Sequence, residues 1–359
     1  MRLRTILSTT PKPVIDALSE CGINTPTDFL FGANLETMFQ RMSPGTASYE
    51  ELLEARQRLI NALAADVVTG DQMLASQQGV QASLSHWLTG IRELDEILES
   101  MPFGVMELSG AKGAGKTALA LHIAASCLAH DSNTVVHWID TSGDFSAERA
   151  ANQARIFQQE RKLVASPGSP VALPSSLRAV LDRLQVSLAF DVEAAHDILE
   201  SLRLTLNSEE RPHARVLVID AITPLLGPHL NAVSAQGHAI MTTFMRHLRA
   251  FAQTYHTLIV VTNNATASQT SNPASAFAST TLKPALGPSF AFLTDATLWL
   301  ARASDVLSPS SNTGNRSAHP PATNDDENVH IAEVFRSRSS ISRKWWTFQI
   351  AEGLIRIQL

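Results

Sequence analysis

Gly110-Ala111-Lys112-Gly113-Ala114-Gly115-Lys116-Thr117 stands between the apolar run Val105 to Leu108 and a helical pattern carried by Leu119, Ile123 and Leu128. The octet matches G-x-x-x-x-G-K-[ST] in full and has the strand before it and the helix after it that a phosphate-binding loop requires. Average residue usage would give such a match in a chain of this length roughly once in a hundred times, so a mere glycine-rich turn is the poorer explanation. Glycines let backbone N–H groups close around phosphates, and the following helix N-terminus adds positive potential there. Gly110, Ala111, Lys112, Gly113, Ala114, Gly115, Lys116, Thr117 and Ala118 are therefore the candidate nucleotide-binding residues. Lys116 would neutralise the β- and γ-phosphates, and Thr117 would ligate Mg²⁺.

Val216-Leu217-Val218-Ile219-Asp220 is an apolar strand ending in a carboxylate. By itself this is equally well a buried strand closed by a turn-forming Asp. Following a phosphate loop, it assigns Asp220 to Mg²⁺, directly or through water. Further apolar runs at Thr134 to Ile139, Val186 to Phe190 and Leu258 to Val261 alternate with helical stretches. Met241, Phe244, Leu248 and Phe251, for example, recur at three- and four-residue spacing. The pattern predicts an α/β core whose mainly parallel sheet is covered by helices on both faces.

The core is expected over 84–359, preceded by a small helical domain over 1–63 and a linker over 64–83. Thr25 before Pro26 marks a helix start, and Ser48 with Glu51 forms a capping box ahead of Leu53, Leu59, Ile60 and Leu63. From Ala64 to Ser83 the pattern fades into Gly, Gln, Ser and Asp. Ser304 to Asn328, polar and Pro-containing, is expected to be a disordered insertion in a late hairpin between Thr297 to Leu300 and Val329 to Phe335.

Composition narrows the function. The chain has 359 residues, 44% hydrophobic and 17% charged, and no apolar run near the roughly 20 residues of a membrane span. Its two cysteines, Cys21 and Cys127, lack metal-ligand spacing, and its histidines show no H-E-x-x-H pattern. Metalloenzyme and serine-hydrolase readings lose their support. A net charge of −6 gives no global attraction to phosphate, so contact with nucleic acid would depend on local patches.

Several segments resemble the eukaryotic RecA-like recombinase family, the D-type paralogue branch most closely. Thr89-Gly90-Ile91 with Leu94, Asp95 and Leu98 is similar to the family's segment before the phosphate loop. Asp140-Thr141-Ser142-Gly143 with Glu148-Arg149 resembles the segment that carries the ATPase glutamate, and Val261-Thr262-Asn263-Asn264 resembles the sensor strand. Ala189-Phe190-Asp191 and Leu282-Lys283-Pro284-Ala285-Leu286-Gly287 point to the D-type branch. The resemblance implies a RecA-like fold, ATP and Mg²⁺ as cofactors, Asn264 as the γ-phosphate sensor and Arg149 stacked on adenine, the alternative for Arg149 being a solvated helix residue. Ser142 occupies the position of the glutamate that orients the attacking water. Loss of such a base typically removes about 10² to 10⁴ in rate, so hydrolysis is expected to be slow unless Asp144 or Glu148 substitutes. Asn264 is one methylene shorter than the usual glutamine, and Phe290 stands where tryptophan is common.

The two loops that face DNA in that family correspond to Thr223 to Gln236 and Ala265 to Thr281, both poor in basic residues. Arg336, Arg338, Arg343 and Lys344 beside Trp345 and Trp346 combine charge with aromatic faces, as binding of single strands requires. Equally, Trp345, Phe348 and Ile350 could be the inward face of a terminal hairpin. The expected function is that of an ATP-binding recombination and double-strand-break repair subunit. It would join other RecA-like paralogues in a hetero-oligomer, bind single-stranded DNA weakly and assist the recombinase filament. The alternative is an autonomous DNA-dependent ATPase or strand-exchange enzyme. Nuclear residence follows from that role, with the mitochondrion as alternative because Arg2, Arg4 and Lys12 meet no acid before Asp16.

Overall fold

The computed structural model describes residues 3, 7, 10–32, 34–64, 69–72, 74, 89–164, 177–206, 214–230, 235–268, 272–277, 280–307 and 328–356. Most of the expected linker and residues 308–327 of the expected insertion lie outside them. The chain divides into two compact units, Met1–Gln78 and Gly79–Leu359.

The first unit is helical. Helix α1 spans Lys12–Glu20, α2 Leu35–Arg41 and α3 Tyr49–Leu63. Thr25 and Asp28 cap each other reciprocally, which starts the turn that holds Pro26 and leads into a π-helical segment, Asp28–Gly32. The Ser48 and Glu51 box closes as the sequence implies, with Ser48 N–H donating to Glu51 at 2.7 Å and Glu51 N–H to Ser48 Oγ at 3.1 Å. The buried stripe of α3 is Leu52, Ala55 and Leu59. Leu53, Ile60 and Leu63 face outward. Two apolar stripes share the helical period here, and only tertiary packing chooses between them.

The second unit is built on a nine-stranded sheet. Helix α4 (Arg92–Ser100) precedes β1 (Gly104–Gly110), which is followed by α5 (Lys116–His130), β2 (Val135–Asp140), α6 (Ala147–Val164), α7 (Leu177–Leu181) and β3 (Leu184–Leu188). Then come α8 (Val192–Leu206), β4 (Ala214–Asp220), α9 (Ile222–Leu226), α10 (Ala235–Thr254) and β5 (Leu258–Asn263). The short strands β6 (Ala265–Ala267) and β7 (Leu282–Pro284) form a separate hairpin. Helix α11 (Pro288–Ala291), β8 (Ala296–Arg302), α12 (Ala303–Leu307), β9 (Val329–Ser337), β10 (Trp345–Ala351) and β11 (Leu354–Arg356) complete the chain.

The strand order is β11-β10-β9-β8-β1-β5-β4-β2-β3. Strands β8, β1, β5, β4, β2 and β3 run parallel, and β9 to β11 add an antiparallel flank. Alternation along each strand assigns side chains to two cores. Met106, Leu108, Trp138, Val216, Val218 and Val260 pack with Leu119 and Ile123 of α5, while Val105, Ile139, Leu217, Ile219 and Val261 pack with Met241, Phe244, Leu248 and Phe251 of α10. Each such fully buried side chain stabilises the fold by about 1.5–3 kcal/mol. Both faces being covered explains why these strands read as continuous apolar runs.

Differences from expectation include two boundaries and one strand face. Strand β3 lies two residues earlier than Val186 to Phe190, because Asp191 accepts the Ala194 N–H at 2.7 Å as the cap of α8 and leaves Phe190 65% exposed. Residues 304–307 of the expected insertion are helical, in α12, next to the antiparallel pair β8 and β9. In β10 Trp346 and Phe348 point inward with Ile350 packed beside them, as expected for the last two, while Trp345 faces out, since alternate residues share a face. Among the described residues no helix is long and apolar enough to cross a membrane.

Candidate functional site

The site forms at the C-terminal ends of β1, β4 and β5, in the middle of the sheet. Close packing fixes the glycines there. A Cβ on Gly110 would lie 2.3 Å from the Leu300 carbonyl oxygen, and one on Gly115 would lie 2.6 Å from Ile350 Cδ1. Gly115 also adopts φ +96° as the cap of α5, a conformation that other residues rarely take. The loop thus delivers the unpaired amides of the first α5 turn to the cleft floor, with the positive end of the helix dipole behind them.

A cleft of about 690 Å³ gathers Lys112, Gly113, Gly115, Lys116, Thr117, Ala118, Ser142, Arg149, Asp220 and Asn264. Ala111 and Ala114 instead line a smaller cavity, about 320 Å³, across the loop, in which Lys112 also takes part. Gly110 lines neither, but its carbonyl and that of Ala111 each accept from Lys116 Nζ at 2.9 Å. Burial lowers the Lys116 ammonium from its usual value, against the opposing charge of Asp220.

Asp220 closes β4 beside this lysine. Burial pushes its carboxyl above the usual range, while hydrogen bonds from Thr262 and Thr117 and the Lys116 charge pull it back. Thr117 and Asp220 therefore place a hydroxyl and a carboxylate side by side at the cleft. Such oxygen donors fit a hard divalent cation.

Ser142 N–H and Gly143 N–H donate to Asp140 Oδ1 at 3.0 and 2.9 Å, and Phe145 N–H donates to Oδ2 at 2.9 Å. Partial burial would raise the Asp140 carboxyl, but these amides and the Ser142 hydroxyl together hold it below its ordinary range. The Ser142 hydroxyl itself points at Asp140, 3.3 Å away. Of the two possible substitutes, Asp144 lines the cleft and Glu148 does not.

Arg149 donates to the Gly353 carbonyl at 2.8 Å, so its guanidinium lies on the turn between β10 and β11 and is not freely solvated. Asn264 is held through its backbone, its N–H donating to Thr223 Oγ1 at 2.9 Å and its carbonyl accepting from Ala285 N–H at 2.8 Å.

Motif reading missed several lining residues, among them His330, Ile350 and Gly353. These three come from strands or turns remote in sequence and carry no local signature. Thr141, inside the Asp140-Thr141-Ser142-Gly143 motif, has a bond pair that the motif did not reveal: its hydroxyl donates to the Ala221 carbonyl at 2.7 Å and accepts the Ala221 N–H at 2.8 Å. The four basic residues beside the tryptophans bond within the chain, largely at its surface. Arg336 caps the carbonyls of Ala291 and Thr294, Arg338 reaches Asp295 at 3.4 Å, Arg343 donates to Pro273 O at 2.7 Å, and Lys344 pairs with Glu96 at 3.5 Å. Trp345 keeps 45% of its surface exposed but meets the Phe277 ring.

Residues 81–305 match the family Rad51, well over half of the chain. DNA repair protein RAD51 homolog 4 of Mus musculus is 29% identical over 278 residues, covering 76% of this chain and 75% of that protein. Probable DNA repair protein RAD51 homolog 4 of Dictyostelium discoideum is 26% identical over 206 residues, covering 50% and 58% respectively. The crystal structure of the RadB recombinase superposes with a TM-score of 0.50 at 19% identity, over 75% of this chain and 98% of that one. At that identity the likeness concerns the fold, and it agrees with the RecA-like architecture implied by the motifs.

Proposed function

Because the chain belongs to the Rad51 family, we propose that it is an ATP-binding paralogue subunit acting in homologous recombination and DNA double-strand-break repair. The observation that carries this reading is the convergence of Lys116, Thr117 and Asp220 on one cleft at the end of a strand, glycine loop and helix. The α5 amides would receive the phosphates, and Lys116 would exchange the Gly110 and Ala111 carbonyls for β- and γ-phosphate oxygens. Magnesium would be held by Thr117 and by Asp220, directly or through water, and when bound it neutralises phosphate charge. Asn264 would face the γ-phosphate. Arg149, anchored on Gly353, would lie beside the base.

Hydrolysis is expected to be slow. Ser142 is engaged with Asp140, and a hydroxyl is no equivalent of the missing glutamate as a proton acceptor. Asp144 in the cleft is the one feature that favours the second reading, an autonomous DNA-dependent ATPase or strand-exchange enzyme. The paucity of basic residues in 223–236 and 265–281, and the internal pairing of Arg338, Arg343 and Lys344, favour a weak single-stranded DNA contact and an assisting role. Membership of a complex with other RecA-like paralogues is supported by β3, which among the described residues forms an edge of the sheet, with Val186 and Leu188 exposed. An open apolar edge strand invites a partner. Nuclear residence accompanies this role.

The test is complementation of cells lacking the protein with wild type or Lys116→Ala, paired with recovery of bound proteins and single-turnover hydrolysis. Wild type is expected to restore repair, bring down other RecA-like subunits and turn over slowly, and Lys116→Ala to fail in repair. Full repair by Lys116→Ala, or recovery of no RecA-like subunit with wild type, would refute the proposal.

A further inference from the structure

One wall of the cleft is the turn between β10 and β11, which no motif announces. Glu352 and Gly353 make that turn with φ of +55° and +75°, and Ile350 and Gly353 line the cleft together with Thr117 and Ala118. Strand β11 pairs with β10 over Gln349 with Arg356, Ile350 with Ile355 and Ala351 with Leu354. So short a pairing at the end of a sheet is weak by itself. Among the described residues no strand covers the other side of β11, so the backbone groups there need partners of another kind.

Gln153 of α6 supplies them. Its side chain is fully buried, and its carboxamide meets Ile355 as a neighbouring strand would. Oε1 accepts the Ile355 N–H at 3.2 Å, and Nε2 donates to the Ile355 carbonyl at 3.4 Å. One turn earlier on the same face of α6, Arg149 donates to the Gly353 carbonyl at 2.8 Å. A Cβ on Gly353 would lie 3.1 Å from Arg149 Nε, so the guanidinium rests directly on the turn. Helix α6 thus grips the turn and the strand after it at two points.

The direction of the Gln153 bonds is set from α5. His122 is fully buried, with Nε2 2.8 Å from the Thr89 carbonyl. A carbonyl only accepts, so Nε2 carries the proton. Burial keeps the ring neutral by lowering it to about 4, which leaves Nδ1 as an acceptor. Gln153 Nε2 lies 3.2 Å from that nitrogen. The carboxamide must therefore turn its NH2 toward α5 and its oxygen toward the Ile355 N–H. Reversed, it would set oxygen against both Nδ1 and the Ile355 carbonyl. A buried network satisfied in this way admits one arrangement.

We propose that Gln153, oriented by His122, is the positioning residue that seats the β10–β11 turn as the base-side wall of the cleft. The proposal rests on the cleft being a nucleotide site with Arg149 beside the base, as above, and adds how that wall is held. Gln153 does not line the cleft, so it acts through the turn and not by touching a ligand. A bare triphosphate gripped by the α5 amides, Lys116 and Thr117 has no use for the turn, whereas a ligand that carries ribose and base does. Loss of Gln153 should divide the two, because apparent affinity for the whole nucleotide falls with the fraction of molecules whose turn is seated.

The experiment is calorimetric titration of the full chain, with magnesium, by a non-hydrolysable ATP analogue and by inorganic tripolyphosphate. Gln153→Met is close in volume and cannot bond to Ile355. It should bind the analogue at least about fivefold more weakly, as loss of one net hydrogen bond implies, and tripolyphosphate within about twofold of wild type. A residue that merely supported the fold would weaken both ligands alike. Gln153→Glu has the same shape and keeps the bond from the Ile355 N–H. Should Gln153→Met fail to fold, Gln153→Glu is expected to show the same division to a smaller extent. In wild type, peptides covering 350–356 should exchange deuterium at least about threefold more slowly with the analogue than with tripolyphosphate, a result that needs no variant. Equal weakening of the two ligands, undiminished analogue binding by a folded variant, or wild-type peptides 350–356 indifferent to a bound analogue overturns this proposal and leaves the nucleotide site standing. Wild type that takes up neither ligand brings down both.

Discussion

Glu107 shows how a single side chain records a compromise. Burial drives its carboxyl above the usual range, and the hydrogen bonds from Asn263, Thr297 and Ser109 and the Arg336 charge only partly oppose this. A carboxyl whose folded value is raised contributes stability that is complete below its unfolded value, about 4.3, and is lost as pH rises through the folded value. Glutamine has the same shape and cannot ionise. Its oxygen can accept from Asn263, and its nitrogen can donate to Thr297, whose hydroxyl then turns to Thr294 at 3.3 Å. Glu107→Gln is therefore expected to match wild type at and below about pH 4.3 and to exceed it increasingly as pH rises from there toward the raised folded value, by up to about 1.4 kcal/mol per pH unit, with no further gain above that value. His122 and His137, both lowered to about 4 by burial, destabilise the fold below pH 6.5 in either protein, so the variant difference is the quantity to follow by denaturant unfolding. A difference that shrinks with rising pH, or that is flat throughout, would contradict the account. At this scale the sequence was legible where a motif is contiguous, as for Lys116 and Thr117. It was mute for Glu107 and Asn263, which are 156 positions apart and meet only because β1 lies beside β5.

The elements divide in the same way. Strands β1, β2, β4 and β5 could be read from the sequence because burial on both faces leaves uninterrupted apolar runs. Strand β3, at the sheet edge, has a mixed pattern, and the capping demand of Asp191 set its end. Strands β6 and β7, three residues each, carry too little periodicity to be seen. The capping box of α3 was legible and its buried stripe was not, because Leu52 and Leu53 both begin acceptable apolar stripes. The junction of β1 with the loop gives the prediction proper to this level. At Gly110 a methyl group would collide with the Leu300 carbonyl of the paired strand β8, and backbone cannot swing aside as a side chain can. Gly110→Ala should destabilise the second unit by about 1–3 kcal/mol and weaken nucleotide binding with it, as thermal unfolding with and without nucleotide would reveal. An unchanged melting temperature would mean that β1 and β8 are not packed as described.

Taken whole, the molecule is a family fold with a modified reaction centre. The second unit supplies the sheet, the two cores and the cleft, and residues 81–305 of it carry the family match. What departs from the expected pattern clusters where hydrolysis and its readout would occur, at Ser142 and Asn264, while the groups proposed to hold phosphate are all present. That distribution favours a protein in which nucleotide occupancy matters more than turnover. It also explains why function could be read further than mechanism: binding motifs are local in sequence, whereas the ties between cleft and hairpin depend on the finished sheet. Calorimetric titration of ATP with magnesium into the purified full chain tests the central claim most directly. Wild type is expected to take up one equivalent, and Lys116→Ala to bind about 10- to 150-fold more weakly, as loss of a charged contact worth about 1.5–3 kcal/mol implies. A folded wild-type protein that takes up no nucleotide, or a Lys116→Ala protein that binds it equally well, would contradict the account.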